Sequence, residues 1–315
     1  MQIADIEYRL GSRTETLEDL GALNPHWRIE RLHAKTGVST RRVASPEENA
    51  TVLAEDAARQ LLERVDPASL DGLIHVTQSP ESTLPTTACL LQERLGLPST
   101  LLAFDLIQGC SGFVYGLSVA ASLIANAHPA RILLICTDHY SRYISRYDRT
   151  SRPIFGDGAA ACVVERDGPG TIGPFVFTTE GSGAPYLTLT PNNGVADVDG
   201  PVLFMDGPKV LAFTLRVVPD AVRELLERAQ LIQDDIDLFV FHQASAVVLD
   251  RLREQLGVVP EKWFQNLDGV GNTVSATIPI ALRQAQEQGR LQAGMTVLVM
   301  GFGVGLSLAG CVIRT

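Results

Sequence analysis

The chain has 315 residues, 45% hydrophobic and 6% aromatic, enough apolar side chain to bury a large core and too much for a disordered polymer. With 26 Lys and Arg against 36 Asp and Glu the formal net charge is −10, so broad binding to nucleic acid is not expected, although a local basic patch could receive an acidic carrier. Cys89, Cys110, Cys136, Cys162 and Cys311 form no CxxC pair, so neither a disulfide framework nor a zinc site is expected, and a reducing cytoplasm is the expected compartment.

The first twenty residues carry charges throughout and lack the apolar region of a signal peptide. Spacing then predicts a helix over 48–64, a strand over 71–77 ("DGLIHVT"), a helix over 85–95, a strand over 101–107 ("LLAFDLI") and a helix over 111–127. Strands follow at 131–137 and 160–165, a helix at 208–230, a strand at 237–243, helices at 245–256 and 274–289, and closing strands at 296–302 and 306–313. Alternating strands and helices predict an α/β fold. The longest apolar stretch, 113–127, holds Gly, Ser and Asn and is too short to span a bilayer, so a soluble protein with no membrane partner is expected.

The order of elements repeats. "LLQERLGLPSTLLAFDLIQGCSGFVYGLSVAASLI…ARILLICTD" echoes "RLREQLGVVPEKWFQNLDGVGNTVSATIPIALRQA…GMTVLVMGF", each giving helix, Leu-Gly, short loop, strand, glycine turn, helix and strand. Cys110 aligns with Gly271-Asn272, so both positions open a helix after a strand, where unpaired N–H groups favour negative charge. With no Pro/Ser-rich linker, two halves, 1–170 and 171–315, are expected to pack as one unit that builds one site from both.

Cys110 in "QGCSGF" stands at a turn and helix start, a position that lowers a thiol pKa and makes a nucleophile, although a buried small hydrophobe is the ordinary role of cysteine. His242 in "FVFHQAS" ends an apolar strand, where a structural histidine is the common alternative to a catalyst. Asn272 in "GVGNTVSATIPIAL" reads equally as a helix cap. "FGDGAAACVVE" (155–165) and "GFGVGLSLAG" (301–310) read as glycine turns into strands.

In order, "GCSGF", "GDGAAA", "HQA", "GNTVSATIPIAL" and "GFGVG" resemble the motifs of the β-ketoacyl-acyl-carrier-protein synthase III family of the thiolase superfamily. "KTGVSTRRVA" (35–44) and "LPTTACLLQERLGLP" (84–98) are similar to that family's "RTGI…R" segment and its dimer-side helix, so the resemblance spans roughly 30–315. It implies a thiolase-like fold, two duplicated halves in a five-layer αβαβα sandwich, and a homodimer. It further implies that Cys110 takes an acyl group from acyl-CoA, with the backbone N–H groups of Cys110 and Val304 as oxyanion hole. His242 and Asn272 would then assist decarboxylative condensation with a malonyl thioester on CoA or acyl carrier protein, with Phe302 as an apolar wall at the malonyl end and no cofactor or metal. Gly207 is carried over among the substrate contacts.

Departures bear on the substrate. Ser245 and Val247 in "HQASAV" replace the Asn and Arg of the family's "HQANxR", and Arg31 stands where relatives stack a tryptophan on adenine, while Arg149 matches the other adenine-side residue. Arg251 and Arg253 could form a displaced basic patch or simply a solvated helix face. Leu84 lies where a large aromatic from the partner closes the primer pocket in relatives, so a longer or branched primer is one expectation and repacking another. An acyltransferase to an alcohol or amine and a catalytically silent partner subunit are the competing readings. The first would dispense with the His-Asn pair and the second with the cysteine, and all three residues are present.

Overall fold

The structure is a computed structural model, and it describes residues 1–126 and 129–315; the last position of the helix predicted over 111–127 lies outside the described residues. Two sheets of corresponding topology stand at its centre. The first holds β1 (Gln2–Leu10), β4 (Gly72–Val76), β5 (Leu102–Leu106), β6 (Arg131–Asp138) and β7 (Gly158–Glu165) in the order β1-β7-β6-β4-β5. The second holds β8 (Thr171–Thr179), β11 (Leu238–Phe241), β12 (Thr296–Gly303) and β13 (Ser307–Arg314) in the order β11-β12-β13-β8. In both, one central strand is parallel to one neighbour and antiparallel to the other: β6 runs parallel to β4 and antiparallel to β7, just as β12 runs parallel to β11 and antiparallel to β13.

The repeat is imperfect at one place. The strand expected after the Leu-Gly turn forms fully in the first half as β5, but in the second half it shrinks to a single parallel bridge between Phe239 and Trp263. Trp263 packs edge-on against Phe241 and stacks on Phe239, so a bulky indole caps the sheet where a strand would continue it.

Layering follows from burial. The middle strands, "GLIHV", "RILLICTD" and "TVLVMGFG", are buried along their length, as strands covered on both faces must be. Between the sheets lie α5 (Gly112–Ala125) and α8 (Thr277–Glu287), sharing one apolar cluster with Val76, Leu134, Val240 and Val299. α5 approaches closely because it presents glycine: a Cβ on Gly112 would stand 2.6 Å from Val76 and one on Gly116 2.7 Å from Leu134. α3 (Ala50–Leu62) and α4 (Thr87–Arg94) cover the outer face of the first sheet, and α6 (Gly207–Ala229) and α7 (Ala246–Leu256) that of the second. This is the five-layer αβαβα sandwich.

Elements beyond the sequence reading are mostly edge features. β1, β8, the pair β2 (Arg13–Thr16) with β3 (Thr40–Val43), the pair β9 (Leu187–Thr190) with β10 (Val202–Met205), and the short helices α1 (Leu17–Leu23) and α2 (Ile29–Thr36) were not predicted. Among the described residues, no helix is long and apolar enough to cross a membrane.

Candidate active site

Cys110 lies in the turn between β5 and α5 and is only 5% exposed. Its turn is held against β12 by missing side chains. A Cβ on Gly301 would stand 2.5 Å from the Cys110 carbonyl oxygen and one on Gly303 2.8 Å from Cys110 Sγ. The backbone N–H groups of Val304 and of Cys110 itself face the sulfur. The expected low thiol pKa is not found: burial pushes the thiol up to about 12, the two N–H groups offset this only in part, and the Asp138 carboxylate adds to the rise. The Cys110 thiol is therefore protonated at neutral pH.

His242 ends β11 and is buried, and burial lowers its pKa to about 3, opposed by the Val274 backbone, so the ring is neutral. Nδ1 lies 2.7 Å from Thr277 Oγ1, which is also 3.0 Å from the Val274 carbonyl oxygen. Phe302 stands edge-on to the imidazole, with ring centroids 5.7 Å apart and an interplanar angle of 85°.

Asn272 is not the helix cap that its place in the sequence allows: Thr273 precedes the short 3-10 turn Val274–Ala276 and Ala276 precedes α8, and neither start has a side-chain cap. Its Oδ1 accepts from the Val274 N–H (2.9 Å) two residues on, an Asx turn, and this turns Nδ2 toward His242 Nε2 (3.5 Å) and the Ala244 carbonyl (3.4 Å). Its backbone is pinned to the "FGDG" turn, donating to the Ile154 carbonyl (2.8 Å) and accepting from the Gly156 N–H (3.0 Å). Gly156 is required there, since a Cβ would overlap the Val270 carbonyl, and Gly271 has φ +85. "GDGAAA" is therefore a brace for the asparagine. Asp138, at the end of β6, ties this region to the first half: its carboxylate accepts from Gln78 N–H (2.9 Å), Ser79 Oγ (3.2 Å), Ser275 N–H (3.1 Å) and Ser275 Oγ (2.6 Å), and burial still raises its pKa to about 6.

Cys110, His242, Asn272 and Phe302 line one cavity of about 250 Å³, with Gly207 and Ser245 on its wall and Lys35 and Thr150 among its lining. Arg31 and Arg149 do not line it; both are exposed, and Lys35, one turn beyond Arg31 on α2, and Thr150, beside Arg149, do so instead. Val247 lines the cavity, whereas Arg253 spends its guanidinium on the Val258 carbonyl (3.3 Å), in keeping with a solvated helix face. Leu84 is 87% exposed and lines neither this cavity nor the second one that adjoins it. Val304 turns its side chain into a second cavity of about 360 Å³ that also takes in Gln78, Tyr140, Leu187 and Leu203. Sequence reasoning missed Lys35, Thr277, Asp138 and this second cavity. Of these Lys35 and Thr277 lay inside recognised motifs, "KTGVSTRRVA" and "GNTVSATIPIAL", and nothing marked either off from its neighbours.

A buried cysteine facing two backbone donors, with a neutral histidine and a pinned asparagine brought from the other sheet, is the arrangement of the thiolase-like acyl-transferring enzymes. Two family descriptions match the chain: 3-oxoacyl-[acyl-carrier-protein] synthase III over residues 104–181 and its C-terminal part over 226–315. The β-ketoacyl-[acyl-carrier-protein] synthase III of Caldanaerobacter subterraneus subsp. tengcongensis is 34% identical over 90% of this chain and 89% of its own, and that of Syntrophomonas wolfei 33% over 100% and 97%. Among solved structures, a 3-oxoacyl-(acyl-carrier-protein) synthase III superposes with a TM-score of 0.93 at 39% identity, covering 100% and 99% of the two chains. A priming β-ketosynthase from a polyketide pathway superposes at 0.91 and 30%, covering 99% and 95%. The chain belongs to the β-ketoacyl-acyl-carrier-protein synthase III family and is an enzyme of the condensing, acyl-transferring kind.

Proposed function

We propose that the chain condenses an acyl group held on Cys110 with a malonyl thioester, and that its halves, 1–170 and 171–315, supply the nucleophile and the His-Asn pair respectively. The observation that carries this is the meeting of Cys110, His242 and Asn272 on one cavity, with two N–H groups facing the sulfur. The Cys110 sulfur attacks the acyl thioester carbonyl, the N–H groups of Cys110 and Val304 hold the oxyanion, and CoA leaves as the thiol, carrying the proton the cysteine gives up. A malonyl thioester then loses CO₂. The enolate oxygen accepts from Asn272 Nδ2–H and His242 Nε2–H, and the carbanion attacks the acyl carbonyl, expelling the cysteine sulfur as a thiolate that takes a proton from water to restore the thiol, and leaving a β-ketoacyl thioester. Nε2 can donate only if Thr277 gives its one hydroxyl hydrogen to Nδ1, its shorter contact. All developing charge is met by N–H donors, so the reaction calls on no metal or cofactor.

The same cavity supports the partners. Lys35 is a cation suited to the phosphates of CoA or of a carrier protein's prosthetic arm, and Ser245 and Val247 supply the neutral wall of a pantetheine tunnel. A homodimer and a cytoplasmic setting belong to this reading, the latter supported by five unpaired cysteines.

The half-reactions separate in mutants. Cys110→Ala is expected to take no label from [1-¹⁴C]acyl-CoA while still releasing CO₂ from a malonyl thioester. Asn272→Ala is expected to label normally and to lose decarboxylation and condensation by on the order of 10²–10³. Labelling of Cys110→Ala at the wild-type level would defeat the assignment of the nucleophile, and full condensation by Asn272→Ala would favour acyl transfer to an alcohol or amine.

A further inference from the structure

The second cavity meets the first at Leu187, and Tyr140, Leu187, Leu203 and Val304 pack in the same cluster as Cys110. With one cavity leading from the sulfur to Lys35, the other is the space left for an acyl chain. Its lining is largely aliphatic, with Thr188, whose hydroxyl turns to the Leu189 carbonyl (3.4 Å), and one polar pair: Tyr140 Oη donates to Gln78 Oε1 at 2.8 Å. That bond fixes the carboxamide with its oxygen occupied, and among the described residues Gln78 Nε2 donates no hydrogen bond. The main chain gives way to this group, since a side chain at Gly109 would overlap both the Gln78 carboxamide and the Val304 side chain. The Gln78 carboxamide therefore packs its oxygen against the backbone one residue from the nucleophile, which leaves Nε2–H as the uncommitted donor of that group in a largely apolar cavity. An unsubstituted acyl chain would strip water from Nε2 and return nothing, whereas an oxygen along the chain would take up its hydrogen.

We propose that this cavity selects acyl groups bearing a hydroxyl or keto oxygen, recognised by Gln78 Nε2–H, with Tyr140 as the positioning residue. The inference rests on the reading that Cys110 carries the acyl group, and a plain substrate keeps the two separable. Rate constants for acyl-enzyme formation are measured by intact mass with hexanoyl-CoA and its 3-hydroxy, 4-oxo and 5-oxo derivatives. In the wild type at least one oxygenated chain is expected to react about three- to tenfold faster than hexanoyl-CoA. In Gln78→Leu that ratio falls to one or below, and in Tyr140→Phe it falls part of the way. Gln78→Glu, which keeps the shape and replaces the donor by an acceptor, is expected to disfavour the oxo chains. Identical ratios in wild type and Gln78→Leu, with hexanoyl loading intact, would overturn the selectivity alone. Absence of any adduct on Cys110 from all four thioesters would overturn the condensing reading and the selectivity with it.

Discussion

The chemistry at Cys110 depends on which of two local effects is larger. A helix start and two backbone N–H groups stabilise a thiolate, yet burial outweighs them and the thiol is raised to about 12. His242, lowered by burial to about 3, stays neutral from pH 4 to pH 9 and offers no imidazolium to pair with a thiolate. The two shifts act in the same direction, toward an uncharged pair, so charge appears only when substrate brings an oxyanion to the donors. Alkylation of Cys110 by iodoacetamide is therefore expected to climb tenfold per pH unit through pH 9 without levelling; a plateau below pH 8 would show a resting thiolate. Thr277 is the second residue-scale expectation. Thr277→Val removes the hydroxyl that fixes the ring at 2.7 Å and is expected to lower condensation roughly tenfold with acylation intact, since a hydrogen bond from the neutral ring to a charged oxygen is worth about 1.5–3 kcal/mol and loses part of that when the ring is no longer held. Thr277→Ser, which restores the hydroxyl, should recover most of the rate, and a loss shared equally by both half-reactions would assign Thr277 a purely structural part.

At the scale of elements, the site is made by β12 running against the cysteine turn, and glycine is what lets it run there. Gly303 has φ +154 and its missing Cβ leaves room for Cys110 Sγ, so Gly303→Ala is expected to cut acyl-enzyme formation at least tenfold by displacing sulfur or donor. Its melting temperature and acylation rate, measured together, check this: a protein that loads normally would show that the contact is easily relieved. The same elements show what a sequence can disclose. Continuous apolar runs betray β4, β6 and β12, and ordered motifs betray Cys110, His242 and Asn272. β1 escapes because "QIADIEYRL" is a half-buried edge strand with charges along it, and β8 because Gly173 and Pro174 interrupt "TIGPFVFTT". Gln78 and Tyr140 escape for another reason: they are 62 residues apart, and only the pairing of β4 with β6 brings the loops after them together.

For the whole molecule, the open question lies at β5. Among the described residues it pairs with β4 on one side only, and its other edge presents unpaired backbone with Leu102 at 42% and, just beyond, Ile107 at 73% exposure, while Leu84 projects at 87% from the loop before α4. An uncovered strand edge beside exposed aliphatic side chains invites another strand, and a second copy about a two-fold axis would pair β5 with its own equivalent. Ile107 also lines the second cavity, so that partner would stand at the mouth of the acyl chamber and could reach it with Leu84. The expected result is a dimer by sedimentation at micromolar concentration, weakened on the order of tenfold or more by Leu102→Lys; a stable, active monomer would refute it. Reach across the interface needs a sharper test. In a mixed dimer, one chain carries both Cys110→Ala and Leu84→Phe and the other is wild type, so only the wild-type chain can be acylated while only its partner's residue 84 has changed. Preference in that single working site is expected to shift toward short acyl-CoAs by about 1–3 kcal/mol per methylene-sized difference, whereas placing Leu84→Phe on the working chain instead should leave its preference as it was. If the two mixed dimers prefer the same chain lengths, residue 84 does not close the neighbouring chamber, and the chamber's depth is set by Leu187, Leu203 and Val304 within each chain.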